Sequence, residues 1–224
     1  NGLSLAETYQ PKAIILDIRL PGADGWHILE RLKNNPATRH IPVHFMSVDE
    51  PLFDAFNRGA IGYLQKPVSK EAVNNALEKI ESVINKKMKD LLVIEDDANQ
   101  RIGIQKLIGG KDVAIYEAST GQEAMKAIND RHFDCIILDL GLPDMTGFEL
   151  LENIKEQALP PVIVYTGKEL TFEQEKMLRS YSDSIIIKGV RSEERLLDET
   201  SLFLHRIIKD LPESKKQMIA TIHD

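Results

Sequence analysis

A chain of 224 residues with 42% hydrophobic and 28% charged content has the balance of a soluble globular protein, and the length for one large domain or two of roughly 110 residues. Its net charge of −7 is uneven: residues 1–88 carry 11 basic and 10 acidic groups, residues 89–224 carry 17 and 25, and an acidic half argues against a nucleic-acid footprint of clustered Lys and Arg. No apolar run approaches the roughly 18–20 residues of a membrane span, no signal-peptide pattern opens the chain, and the single cysteine, Cys135, excludes an intramolecular disulfide, so a cytoplasmic segment without membrane contact is expected.

In chain order, the first 88 residues read as helix (LSLAETY), strand (KAIILDI), helix (GWHILERLK), strand (IPVHFMS), helix (PLFDAFNR), strand (IGYLQK) and helix (SKEAVNNALEKIESVINKK). From residue 89 the strands DLLVIE, DVAIYEA, CIILDL, PVIVYT and SIIIK alternate with the helical patterns QRIGIQKLI, TGQEAMKAINDR, TGFELLENIKEQ, TFEQEKMLRSY and SEERLLDETSLFLHRIIKDL. Continuous apolar runs suit parallel strands covered by helices on both faces. Five strands alternating with five helices imply a doubly wound parallel sheet, with Gly121, Gly147 and Pro160-Pro161 marking turns.

The two stretches repeat one device. KAIILDI carries Asp17 and DCIILDL carries Asp139, each followed by a Leu-Pro turn, a Gly and an amphipathic helix. Lys66 follows Asp17, and Lys188 follows Asp139, at the same interval of 49 residues. The first copy contains nothing that reads as a first strand, first helix and second strand. It is therefore expected to be an N-terminally truncated domain over 1–88, and the chain a fragment of a longer protein. A complete domain is expected over 89–211, with 212–224 starting a linker.

Ligands of open parallel sheets gather at the carboxyl ends of the strands. In the second copy that edge receives Glu95 and Asp96, then Asp139, Thr166 and Lys188. Three converging carboxylates need compensation, which a hard divalent cation such as Mg²⁺ supplies through oxygen ligands. Asp139 can then act as nucleophile toward phosphorus, with Thr166 and Lys188 binding the transferred oxygens.

These residues resemble the receiver domain of two-component response regulators. That family has an acidic pair after strand one (Glu95 and Asp96 in LLVIEDDANQR), a phosphoacceptor after strand three (Asp139), a hydroxyl after strand four (Thr166) and a lysine in strand five (Lys188). The resemblance implies a flavodoxin-like sheet of order 2-1-3-4-5 in two copies, the first lacking its N-terminal strands. It also implies Mg²⁺ held by Glu95, Asp96, Asp139 and the backbone carbonyl of Gly141. The phosphodonor it implies is a phosphohistidine on a histidine kinase or histidine phosphotransfer domain. Tandem receivers resemble the C-terminal region of a hybrid sensor histidine kinase, so this segment is expected to accept phosphate rather than to be the kinase.

Departures from the family pattern qualify each copy. In the first, Asp17, Ser47 and Lys66 match, but the acidic pair is absent, so poor Mg²⁺ binding and no phosphorylation of Asp17 are expected. In the second, the usual Lys-Pro is Lys188-Gly189, and the aromatic three before the lysine, Tyr63 in the first copy, is Ile185. Asp97 reads as a helix cap beside the acidic pair. His205 reads as a packing residue of the last helix, and the other five histidines show no paired metal spacing. The apolar stripes Val73, Leu77, Ile80, Ile84 and Leu196, Thr200, Phe203, Ile207, Leu211 serve packing on the sheet, with a dimer seam as the alternative.

The same residues admit rival readings. Tandem receivers could instead lead a nucleotide cyclase or other output domain, and either copy could be a pseudo-receiver interaction module. A haloacid-dehalogenase-type phosphatase needs a second acid two residues past the nucleophile, where this chain has Arg19 and Gly141. A flavodoxin needs a Ser/Thr/Gly-rich phosphate loop, which EDDANQR would replace with negative charge.

Overall fold

The computed structural model describes residues 2–20, 23–48, 59–155, 157 and 159–223. Two compact units divide the chain: Asn1–Lys87 with His205–Leu211, and Met88–Leu204 with Pro212–Asp224. The helix expected over residues 51–58 lies outside the described residues.

The first unit is built from α1 (Gly2–Tyr9), β1 (Ile14–Asp17), the short antiparallel pair β2 (Arg19–Leu20) and β3 (Ala23–Asp24), α2 (Gly25–Asn34), β4 (Val43–Ser47), β5 (Ala60–Gln65) and α3 (Lys70–Asn85). Three parallel strands lie in the order β1-β4-β5. Asp24 starts α2 by accepting from Trp26 N, and Ser69 starts α3 by accepting from Ala72 N, each satisfying a helix amide that has no partner within the helix. Leu16, Leu29, Leu32, Val43 and Phe45 form the core, with the Trp26 ring packed at a tilt against Phe45 at 4.9 Å between centroids. Burial of such side chains contributes about 2 kcal/mol each. Lys33 is an exception within that interior. Its ammonium donates to the carbonyls of Arg39 (3.1 Å) and Ile41 (2.8 Å), and burial lowers its pKa to about 7.

The second unit contains β6 (Lys89–Ile94), α4 (Ala98–Ile108), β7 (Val113–Ala118), α5 (Gly121–Asp130), β8 (Cys135–Leu138), α6 (Gly147–Ile154), β9 (Val162–Thr166), α7 (Phe172–Leu178), β10 (Ser184–Ile187), α8 (Ser192–Phe203) and α9 (Glu213–His223). Its sheet is parallel with order β10-β9-β8-β6-β7, which is the 2-1-3-4-5 order of a flavodoxin-like fold. The central strands are apolar throughout because both faces are covered: Leu91 to Ile94 and Cys135 to Leu138 are all buried. Capping boxes at Thr146–Glu149 and Thr171–Gln174 start α6 and α7. Asp97 starts α4 by accepting from the amides of Asn99 and Gln100.

Three expectations change at the C-terminal end. The last helix stops at Phe203 instead of running to residue 211, because the chain turns through His205 at φ 53° before a short 3₁₀ turn at Ile208–Asp210. The expected stripe therefore ends with the helix, and Ile207 and Leu211 lie beyond it. His205–Leu211 clusters with the first unit, so the second unit breaks off at Leu204 and resumes at Pro212. Residues 212–224, expected to begin a linker, instead contain α9, held in the second unit by Lys215 donating to Gly109 O (2.7 Å) and by His223 against Asp198 (3.0 Å). Composition could not reveal this, because α9 buries little beyond Ile219 and its attachments are polar.

Candidate functional site

At the carboxyl edge of the second sheet, β6, β8, β9 and β10 deliver side chains to one place. Ligand oxygens of Glu95, Asp96 and Asp139 lie within 4.8 Å of one another, the only such metal-capable group among the described residues. Lys188 Nζ donates to Glu95 Oε2 at 2.8 Å and to Asp139 Oδ2 at 3.0 Å. Glu95 is enclosed, with 2% of its side chain exposed, against 12% for Asp139 and 17% for Lys188, while Asp96 is exposed. Thr166 is fully buried at the end of β9, and Lys188 N donates to its carbonyl at 2.8 Å. The Gly141 amide donates to Asp139 Oδ1 at 3.3 Å.

The electrostatics follow from that enclosure. Burial pushes the Glu95 carboxyl up, and the Asp139 charge adds to the rise, against the opposing bond from Lys188. For Lys188 burial acts to lower the ammonium, but its bonds to Glu95 and Asp139 outweigh it and the net shift is upward. One cation thus serves two carboxylates, with a third beside them, and the acids outnumber their compensation. Hard oxygen donors with excess negative charge suit a divalent cation of the Mg²⁺ type.

Several neighbours escaped the sequence reading. The Gly189 amide, which a proline would lack, donates to Ser192 Oγ at 3.1 Å, and that hydroxyl also meets Tyr165 OH at 3.2 Å. Lys188 Nζ lies 5.2 Å from the centroid of the Tyr165 ring. Thus the departure at Gly189 has its own bonding. Lys168 donates from its amide to Thr166 Oγ1 at 3.2 Å and from Nζ to Leu140 O at 3.4 Å. Arg101 binds the carbonyls of Glu95 and Asp96. The one available signal was spacing: Arg101 lies a helical turn past the acidic loop.

In the first unit Asp17 ends β1 and pairs with Lys66, while the Arg19 amide donates to Asp17 Oδ1 at 3.1 Å. The Lys66 bond, then the amide, hold the Asp17 carboxyl below its usual range against a smaller burial effect. Ser47 is buried, its carbonyl accepting from Lys66 N at 2.7 Å and from Tyr63 OH at 3.4 Å. The Lys66–Pro67 bond is cis.

A doubly wound sheet with an acidic cluster and a lysine at its carboxyl edge defines a class of flavodoxin-like α/β domains. The family described as response regulator receiver domain matches residues 1–78 and 91–200, and the chain belongs to it, with two matching stretches in tandem. Transcriptional regulatory protein SrrA of Staphylococcus aureus (strain NCTC 8325 / PS 47) is 29% identical over 108 residues. That stretch is 48% of this chain and 45% of that protein, so the match spans less than half of the relative's length. Among solved structures, the receiver domain of the Francisella response regulator 1452 is 26% identical with a TM-score of 0.48, covering 53% of this chain and 98% of its own. A CheY-like receiver domain protein from Methanospirillum hungatei JF-1 is also 26% identical with a TM-score of 0.48, covering 55% and 99%.

Proposed function

We propose that the second unit is the phosphoacceptor receiver of a two-component phosphorelay, with Asp139 accepting a phosphoryl group from a phosphohistidine. The observation that carries this reading is the convergence of Glu95, Asp96 and Asp139 within 4.8 Å, with Lys188 shared between Glu95 and Asp139. Glu95, Asp96, Asp139 and the Gly141 carbonyl would hold Mg²⁺, whose charge, when bound, offsets that of the acids and the incoming phosphoryl oxygens. A carboxylate oxygen of Asp139 forms the new bond to phosphorus. The phosphorus–nitrogen bond breaks, its electron pair stays on the imidazole, and that nitrogen takes a proton from solvent. Lys188 turns from Asp139 toward a phosphoryl oxygen, which makes the same charge-assisted bond. The Thr166 hydroxyl, whose oxygen already accepts from the Lys168 amide, donates its proton to another.

In this reading the partner is a histidine kinase or a histidine phosphotransfer domain. The parent is a hybrid sensor histidine kinase, and the segment works in the cytoplasm. The first unit keeps Asp17, Ser47 and Lys66 as an incomplete site. A pseudo-receiver reading fits that first unit better, since among the described residues no cation-capable acidic cluster forms around Asp17. The transcriptional role in the name of the S. aureus relative is that protein's own.

The test is incubation with acetyl phosphate and Mg²⁺, read by intact mass. The wild type should gain one phosphoryl group and Asp139→Asn none. A wild type that stays unmodified with acetyl phosphate and with a panel of phosphorylated histidine kinases would sink the proposal.

A further inference from the structure

Asp96 is exposed, so burial does not aim its carboxylate, yet its oxygen lies within 4.8 Å of those of Glu95 and Asp139. Like charges at that spacing repel and favour opening of the loop that carries them. One side chain grips the main chain of that loop. Arg101, in α4, donates from Nη1 to Glu95 O at 2.7 Å and to Asp96 O at 2.8 Å, while its Nε donates to Glu117 Oε2 at 3.1 Å. The Arg101 side chain is only 17% exposed. Every contact to the acidic pair goes to a carbonyl, so neither carboxylate is consumed. A planar guanidinium can reach the two carbonyls and the Glu117 carboxylate together; a lysine ammonium, a point charge on a flexible stem, does so poorly.

We propose that Arg101 is a positioning residue for the cation site, holding the main chain of Glu95 and Asp96 so that both carboxylates converge with Asp139. The inference rests on the reading of that cluster as a divalent-cation site.

Charge and position pull in opposite directions here, which makes the role measurable. As a bare charge, the guanidinium repels a divalent cation, and its removal tightens binding. As a clamp, its removal frees the loop and weakens binding; supporting partners of metal ligands are typically worth 10–100-fold in affinity. Arg101→Lys separates the two, because it keeps the charge and loses the fork.

The experiment is Mg²⁺ titration calorimetry on the full chain for wild type, Arg101→Lys and Arg101→Met, with metal-free hydrogen exchange at the Glu95 and Asp97 amides. Those amides bond to Ala118 O and to Glu95 Oε1. Both variants should bind Mg²⁺ about 10-fold more weakly or worse, and both amides should exchange faster. Should Arg101→Met not fold, Arg101→Lys alone carries the comparison. Affinity in Arg101→Lys equal to or tighter than wild type, or unchanged exchange, overturns the inference while leaving the cation site standing. A wild type that takes up no Mg²⁺ ends the cation-site reading and this inference with it.

Discussion

In both units an aspartate at the carboxyl end of a parallel strand meets a lysine 49 residues later, but the two lysines do different work. In the first, among the described residues, Lys66 pairs with Asp17, and the Arg19 amide donates to the same carboxylate. In the second, Lys188 is divided between Glu95 and Asp139, with Asp96 beside them. Asp139 likewise has a lysine and the Gly141 amide, so what sets the second cluster apart is the enclosed Glu95 that shares the lysine and the Asp96 carboxylate beside it.

The sharpest way to break that comparison is phosphorylation. Asp139→Asn should abolish acetyl-phosphate labelling and Asp17→Asn should leave its yield unchanged, by intact mass. A loss in Asp17→Asn would mean that the first unit's site is the working one.

Removing the lysines should also separate the units. Lys188→Met leaves the enclosed Glu95 without its cation, and urea unfolding of the second unit should show a loss of about 3 kcal/mol. Lys66→Met, at a partly exposed pair, should shift unfolding of the first unit much less. Trp26 is the only tryptophan in the chain and packs against the first unit's core, so its fluorescence follows that unit. Circular dichroism follows both.

Mg²⁺ sharpens the contrast further. At 100 times its dissociation constant it should stabilise the second unit by about 2.7 kcal/mol, leaving the Trp26 transition where it was. A Trp26 shift of equal size would show that metal binding does not distinguish the units.

The pH dependence separates the units by sign, since they should slope in opposite senses. Burial raises Asp183 to about 6, so between its ordinary value of 3.8 and about 6 the folded second unit binds more protons than the unfolded chain. Stability should fall there as pH rises, by roughly 2 kcal/mol, and Asp183→Asn should remove that slope. Burial lowers Lys33 from 10.5 to about 7, so over that range the unfolded chain binds more protons. The first unit should gain stability as pH rises from 7 to 10, and Lys33→Met should flatten the gain, read by Trp26.

Much of the fold was legible because parallel strands between helix layers must be apolar on both faces, and CIILDL, PVIVYT and LLVIE announce themselves that way. The end of α8 was not. SLFLHRIIKDL keeps a helical apolar period, and only a backbone turn at His205 breaks it, a conformation that no residue type in that stretch demands. The attachment of α9 was hidden for a related reason, since a lysine reaching a carbonyl leaves no pattern in composition.

The site divides in the same way. Local order along the chain determined which residues end the strands, because a parallel sheet of fixed winding must bring those ends to one edge: hence Asp17 and Asp139, the acidic pair, Thr166 and both lysines. Tertiary structure decided how charge is apportioned among them. That Lys188 serves two acids, that Arg101 grips carbonyls and spares carboxylates, and that the Gly189 amide bonds Ser192 depend on distances of about 3 Å between groups far apart in sequence. Such distances follow from packing, and packing is a property of the whole chain.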